Sequence, residues 1–166
     1  ESQSLVTVQS KIQANASDIE LIADKMAINA QLDSGGVAAG TVTLKPSSNP
    51  ARAIALGAVG DATANTLELS PAELAQASTG ILKLGSSSHT AGIQIKDSIT
   101  MAGAGQVSMI NSGSISADAG KTVTTDKLNV DTSTGAGSSV TLNEANVVNT
   151  IAGKAGTGGT FSFKSA

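Results

Sequence analysis

Short pairs of apolar residues, separated by a single residue, recur along the whole chain and constrain its fold more than any other feature. Examples are "IEL", "VTL", "LKL", "IQI" and "FSF". Alternate side chains of an extended strand point to the same face, so each pair marks the buried face of a short strand. Clusters of Gly, Ser, Asn and Asp separate the pairs, as strand boundaries require. The chain is therefore predicted to be all-β.

The pairs form two interleaved series, and the steps within each series are of similar length. The first runs through Ile19/Leu21, Val42/Leu44, Leu67/Leu69, Ile93/Ile95, Ile115/Ala117, Val140/Leu142 and Phe161/Phe163. The second runs through Met26/Ile28, Ile54/Leu56, Leu82/Leu84, Val107/Met109, Leu128/Val130 and Val147. A period of roughly 20 to 28 residues with two or more short strands is typical of a solenoid. Because the leucine-rich-repeat consensus and helical spacing are both missing, a parallel β-helix fits best.

The main alternative is an antiparallel β-sandwich. Its strands would be joined by tight hairpins, yet the chain has no Asn-Gly or Asp-Gly pair, and its central strands are spaced more widely than a sandwich requires. Residues 1–16 are predicted to be an N-terminal cap or an incoming coil, followed by the repeat segment at residues 17–166. A heptad that begins at Leu5 and Val8 leaves a helical start open. Strands are favoured, because the step from Ile19 to Val42 continues the ladder.

The stretch "LSPAELAQASTG", residues 69–80, is a helical signal among strands. Ser70 is a good N-cap, Pro71 suits the first helical position, and Glu73 completes a capping box. The stretch lies between two strand pairs, which indicates a decorated turn rather than a site. We predict one or two helical turns near residues 70–77, with Leu74 folding back over the edge of the coil.

Composition excludes several classes of function. Net charge is −3, charged residues are 14% and aromatic residues 1% of the chain. With no basic stripe and no aromatic platform, nucleic-acid binding is not expected. The absence of a long apolar run argues against membrane insertion. The absence of cysteine excludes disulfides and thiolate metal sites.

Few side chains are candidates for chemistry. His89 in "GSSSHTAG" is the only histidine, no second His or Cys is present to share a metal, and we predict a solvent-exposed loop residue. Four aspartates follow or separate strands and are candidates for a glycosidase pair: Asp97, Asp118, Asp126 and Asp131. The chain has no Trp or Tyr, and Arg52 is its only arginine, which argues against a carbohydrate-active enzyme. "DKLNVD" lacks the Gly and distal Glu of an EF-hand loop.

The remaining polar motifs are interpreted as structural. Asn143, Asn146 and Asn149 are expected to bond backbone groups at turns or to stack between coils. The glycine-rich run at Gly156–Gly159 lacks the Lys-Ser/Thr of a phosphate loop, so it is expected to form turns. No catalytic, cofactor-binding or metal-binding residue is predicted.

Several motifs occur in a recognisable order: "GTVTLKPS", "IALG", "LELSPAEL", "ILKLGS", "IQIKDSI" and finally "LNEANVVNTIAGKAGTGGTFSF". Over residues 18–166 the chain resembles the repeat region of filamentous-haemagglutinin-like large exoproteins, the adhesins that bacteria export by two-partner secretion. The resemblance implies a right-handed parallel β-helix in a fibre at the cell surface or outside the cell. It implies adhesion, aggregation or delivery of a distant C-terminal domain, and it does not imply catalysis.

These observations lead to one favoured expectation and two alternatives. We expect a right-handed parallel β-helix of six or seven coils that serves as the stalk segment of a surface adhesin or secreted fibre. Its partners would be neighbouring coils of a longer chain, with host or bacterial surface glycans or proteins as further partners. The alternatives are a glycan-binding face on the stalk and a polysaccharide-degrading β-helix enzyme.

Overall fold

The chain folds into a parallel β-helix of about seven stacked coils, seen in a computed structural model that describes residues 3–47 and 51–166. The prediction of an all-β solenoid is confirmed. The strands are β1 Leu5–Val8, β2 Ile12–Gln13, β3 Ile19–Ile22, β4 Lys25–Ile28, β5 Leu32–Asp33, β6 Thr41–Lys45, β7 Ala53–Leu56, β8 Thr66–Leu69, β9 Ala77–Ser86, β10 Ile93–Ile95, β11 Ile99–Thr100, β12 Ala104–Asn111, β13 Ile115–Ala117, β14 Val123–Asp131, β15 Val140–Lys154 and β16 Phe161–Ser165. One helix, α1, spans Pro71–Leu74, and a 3-10 turn spans Gly36–Ala38.

Equivalent strands stack into three faces. Face 1 holds β1, β4, β8, β7, β10, β13, the start of β15 and β16. Face 2 begins with β2, β5 and the start of β9, and continues through β11 to the first part of β14. Face 3 holds β3, β6, the middle of β9, β12, the end of β14 and the end of β15, and its strands pair without interruption.

The interior is built from ladders of aliphatic side chains. Along most strands both residues of the apolar pair point inward and are buried, as for Val42 and Leu44 at 0% exposure, whereas polar groups are mostly on the outward residues. The two aromatic residues lie on the last strand, where Phe163 packs against the core and the ring of Phe161 lies over Gly153. Large rings therefore cover the end of the core, where no further described strand encloses it.

The predicted ladders are correct from Ile19/Leu21 to Val42/Leu44 and again beyond Ile93 except at Val147, and they are wrong for the steps between. On face 3 the order is Ile19, Val42, Leu82, Val107, Leu128 and Ile151. Most of these steps are of similar length, but the step from Val42 to Leu82 is nearly twice as long as the others. Leu67/Leu69, predicted to follow Val42/Leu44, lies instead on face 1. The second series ends at Ile151 rather than Val147, because Val147 is opposite Thr124 on face 2.

The long step contains an additional strand. β7 and β8 are consecutive in sequence and pair in parallel, yet β8 lies on the N-terminal side of β7, and β10 pairs with the other edge of β7. Residues 57–65 return the chain across the outside of face 1, with positive φ at Gly57, Gly60 and Asp61 to make the turns. Because of this backward step, Ile54/Leu56 of the second predicted series lies on face 1 beside Ile93/Ile95. Ile19/Leu21 and Val42/Leu44 of the first predicted series lie on face 3 with Leu82/Leu84.

Face 1 is interrupted between β4 and β8. β4 pairs only with β1, and β8 only with β7, although β4 and β8 lie side by side. The same two coils are joined on face 2 by the pairing of Leu32 with Ala77, and on face 3 by β6 with β9. We call this interruption the seam.

The N-terminal segment forms strands, and the stretch that begins at Ser70 forms the helix α1. The described part of residues 1–16 forms β1 and β2, which pair with β4 and β5, so the favoured strands are found there and the alternative helical heptad is not. Ser70 caps α1, and both halves of the capping box with Glu73 are formed. Leu74 is 1% exposed, as predicted for a residue folded over the coil. The helix is shorter than predicted, since Ala77 already belongs to β9.

Candidate functional site

His89 is buried, which corrects the prediction of a solvent-exposed loop residue. It is 4% exposed, and its Nδ1 lies 2.8 Å from Ser86 Oγ. The ring also hydrogen-bonds the Pro46 carbonyl, which can only accept, so the nitrogen that faces Pro46 carries the proton. Burial lowers the pKa of His89, the bond to Pro46 opposes this, and the charge of Lys45 adds to the lowering. The prediction was wrong because the segment that contains Pro46 lies far from His89 in sequence.

The four candidate aspartates do not form a catalytic pair, because each is engaged in contacts of its own. Asp97 binds Lys121 Nζ at 2.9 Å, and Asp118 lies 3.5 Å from Lys96 Nζ, so these two pairs bridge the turns that follow β10 and β13. The bond from Lys121, with the Ser98 amide, lowers the pKa of Asp97.

The other two aspartates lie on β14. Asp126 Oδ1 accepts from Asn149 Nδ2 at 2.8 Å, which joins two coils. Asp131 Oδ1 accepts from the Ser133 amide at 2.8 Å, and hydrogen bonds from Ser133 lower the pKa of Asp131. These contacts place the carboxylates in turns and inter-coil links rather than around a common cleft.

The asparagines have the structural roles that the sequence predicts. Asn146 is fully buried, its Oδ1 accepts from the Val123 amide at 2.9 Å, and its Nδ2 donates to the carbonyls of Leu142 and Glu144. Asn143 accepts from Ser162 in the next coil. The Gly156–Gly159 run forms a turn, and Gly156 N donates to Thr132 Oγ1 at 3.2 Å.

A buried ion pair that sequence reasoning missed joins Asp24 to Arg52. Arg52 Nε lies 3.0 Å from Asp24 Oδ1, and the two side chains are 3% and 10% exposed, respectively. Ser47 Oγ donates to the same carboxylate oxygen at 2.7 Å. Burial raises the pKa of Asp24, but hydrogen bonds from Ser47 and Ser4 and the Arg52 charge outweigh burial, so its pKa is lowered. Nothing in the sequence pairs these residues, since Arg52 belongs to the inserted segment.

A cleft of about 540 Å³ opens at the seam. Its walls are β4, the loop after β7 and the α1 turn, and three carboxylates reach it from separate elements: Asp61, Glu68 and Glu73. Burial raises the pKa of Asp61, and the negative charges of Glu73 and Glu68 raise it further against the opposing Lys25. Thr63 donates to both carboxylate oxygens of Glu68.

A second hollow runs along the corner between faces 2 and 3. It has a volume of about 830 Å³ and continues into a smaller hollow of about 340 Å³ through Ala102 and Asp126. Its floor is backbone, because a Cβ on Gly105 would lie 2.1 Å from the Val37 carbonyl. Polar side chains from four coils line it: Asp18, Thr41, Gln106, Asp126 and Lys127. We call this hollow the corner groove.

Neither a metal centre nor a membrane-spanning helix is found in the part of the chain that the structure describes. Among residues 3–47 and 51–166, no group of three or more His, Asp or Glu side chains is placed to hold a metal ion. The same residues contain no helix that is both long and apolar enough to cross a membrane.

The fold and its surfaces define a β-solenoid whose chemically capable side chains mostly serve contacts between coils. Comparison with known proteins adds no relative: no protein-family model, no curated protein and no solved structure matches the chain. The resemblance in the sequence motifs therefore remains an expectation.

Proposed function

We propose that this chain is a structural stalk segment of a bacterial surface adhesin or secreted fibre, which supports adhesion or aggregation by holding other regions away from the cell. The observation that carries the proposal is the uninterrupted backbone pairing of face 3 from β3 to the end of β15. Each coil contacts mainly its neighbours, so length is gained by adding coils without a new core. The motif resemblance agrees with this role.

The side chains support the same role. The ion pairs Lys96–Asp118 and Lys121–Asp97, and the bond from Asn149 to Asp126, all join adjacent coils. A stalk needs such contacts at every coil, whereas an enzyme needs several groups to converge on one point.

Mechanical unfolding tests the stalk role. Pulling the chain from its two ends should remove coils one by one, with each event releasing about 80 Å, the contour length of roughly 23 extended residues. A single all-or-none extension would contradict independent coils, and release at forces no higher than for an unstructured chain would contradict a load-bearing role.

The corner groove favours a second candidate, a glycan-binding face. It spans several coils and presents hydroxyl, amide and carboxylate groups that suit sugar hydroxyls, although no aromatic side chain lines it. Glycan-array binding by the intact chain would test this role, with Gln106→Ala and Lys127→Ala in the groove and Ser116→Ala on face 1 as the control. Saturable binding lost only in the groove variants would favour a binding face over a pure stalk. Glycan cleavage would favour the enzyme alternative over both.

A further inference from the structure

The seam leaves facing backbone edges on β4 and β8 without the pairing that joins neighbouring strands elsewhere on face 1. In a parallel sheet alternate amides of a strand point to each neighbour. The Ile28 amide, which points away from β1, donates to Glu73 Oε1 at 3.2 Å instead of to a strand carbonyl. The side chain of Glu73 therefore takes the place of a backbone acceptor on the neighbouring strand at this position.

The other two faces keep the same coils together. On face 3, Thr41, Val42 and Leu44 pair in register with Ile81, Leu82 and Leu84. On face 2, Leu32 and Asp33 pair with Ala77 and Ser78. These bonded faces can act as the axis of a motion that opens face 1.

Three side-chain contacts close the seam. They are the bond from the Ile28 amide to Glu73, the bond from Lys25 Nζ to the Asp61 carbonyl, and the buried Asp24–Arg52 pair. We number the coils along the chain: β1–β3 form the first, β4–β6 the second, β7–β9 the third, β10–β12 the fourth, and β13 with β14 the fifth. Asp24 precedes β4, and Arg52 precedes β7, so this pair ties the second coil to the inserted strand of the third. Among the described residues it is the ion pair that bridges the seam, since the other pairs lie within coils 1 and 2 or between coils 4 and 5.

Charge and burial oppose closure. Asp61, Glu68 and Glu73 bring three carboxylates to the cleft, and Lys25 is the cation that reaches them. Asp61 Oδ1 is buried without a hydrogen-bond partner. Opening the seam would hydrate this oxygen and separate the carboxylates. Both effects favour the open state, and they oppose the three side-chain contacts that hold the seam closed.

We propose that the seam is a hinge at which the first two coils bend against the rest of the solenoid, with faces 2 and 3 as the axis and the Asp24–Arg52 pair as the latch. Bending opens the cleft between β4 and the α1 turn. The proposal goes beyond the stalk role, because it concerns one junction in the coil stack and holds whether or not the chain supports adhesion.

Hydrogen exchange in the intact wild-type chain tests the hinge directly. Ile28 and Ile93 are a matched pair, since they are 2% and 1% exposed, but the Ile93 amide donates to the Ser114 carbonyl at 3.0 Å in a regular ladder. A hinge predicts that the Ile28 amide exchanges at least about tenfold faster than the Ile93 amide, through local opening. Equal protection of the two amides would overturn the proposal.

Distances between spin labels give an independent test. The chain has no cysteine, so labels at introduced cysteines are unique. Exposed positions Thr7 and Thr141 report on face 1, and Glu20 and Thr150 report on face 3. The face 1 distance should have a clearly broader distribution than the face 3 distance. Two distributions of the same width would contradict the hinge.

Latch variants complete the test. Asp24→Asn should raise the exchange rate of Ile28 about tenfold or more and leave Ile93 nearly unchanged, while Asp118→Asn, in an ion pair away from the seam, should leave Ile28 unchanged. A uniform rise at both amides would show global destabilisation and refute the latch. If Asp24→Asn does not fold, Ser47→Ala, which removes the 2.7 Å hydrogen bond to Asp24 Oδ1 and leaves the acceptor of the Ile28 amide in place, provides the second variant, with the same pattern expected.

Discussion

Asp24 joins three separate parts of the N-terminal region, because it contacts Arg52, Ser47 and the Ser4 amide together. Asp24→Asn should lower the free energy of unfolding of the first two coils by about 3 kcal/mol, since it leaves the Arg52 charge buried without its counter-ion, while the coils beyond the seam should keep their stability. Urea unfolding at pH 7 measures this. Asp118 is only partly buried, so Asp118→Asn should cost less than about 1 kcal/mol, and equal losses in the two variants would contradict the assignment.

The same carboxylate predicts a pH dependence. The folded-state pKa of Asp24 is lowered from its ordinary value of 3.8, so its stabilising contribution is fully present above that value. The contribution is lost as pH falls through the lower folded-state pKa. The stability gap between wild type and Asp24→Asn should therefore close below about pH 4, and a gap that stays constant to pH 2 would contradict the ion pair.

His89 titrates in a separate window. Burial lowers its folded-state pKa below 6.5, so the unfolded chain binds the proton more readily. Wild-type stability should fall as pH falls below about 6.5, until the folded-state pKa is reached. His89→Gln should remove that slope while leaving the acid transition of Asp24. Unfolding curves between pH 7.5 and 4.5 provide the measurement, and an unchanged slope in the variant would assign the effect elsewhere.

At the scale of elements, α1 is a short helix with a complete capping box and a buried leucine. Leu74→Ala should cost about 3 kcal/mol, because it empties a buried position, and Ser70→Ala about 1 kcal/mol, because it removes the N-cap. Thermal or urea unfolding separates the two losses. Ala72→Ser, in the same turn, should change stability little, and a loss equal to that of Leu74→Ala would show that the whole turn, rather than the buried leucine, is responsible.

The elements also show how far sequence reasoning extends. Strand periodicity, the capping box of Ser70 and Glu73, and the ladders beyond Ile93 follow from local rules, and the structure confirms them except at Val147. The reversed order of β7 and β8 does not follow from local rules. Ile54/Leu56 and Leu67/Leu69 are the same kind of pair, and nothing local tells which pair lies nearer the N-terminal end of the solenoid. The Asp24–Arg52 pair depends on the segment that holds the inserted strand, and His89 lies against Pro46, far away in sequence, so neither contact could be predicted.

At the scale of the whole molecule, the inserted strand makes the solenoid asymmetric. Coils 2 to 5 contain five strands on face 1 (β4, β8, β7, β10 and β13) and four on face 3 (β6, β9, β12 and β14). One additional strand lengthens face 1 by about 4.8 Å. The rod should therefore curve away from face 1. The additional strand on face 1 also accounts for the seam.

Removing the additional strand tests this explanation of the curvature. Deletion of residues 48–64 takes out β7 and leaves Pro46, Ser47 and Asn65 as a short corner between β6 and β8. β8 should then stack directly on β10, and the rod should become straighter with its circular dichroism retained. Small-angle X-ray scattering measures the change in shape. A deletion variant with the same curvature as wild type would show that the curvature has another origin.

The backward step of β8 also has a consequence for the order of assembly. A solenoid made from its N-terminus can add each coil as it emerges, but here the neighbour of β4 emerges after β7. Until residues 66–69 arrive, β7 is the available partner for β4, and its Ile54/Leu56 pair matches the vacant position as well as Leu67/Leu69 does. Directional growth must therefore pause or reverse once at this point, and refolding should show one slow phase that the chain lacking residues 48–64 does not have.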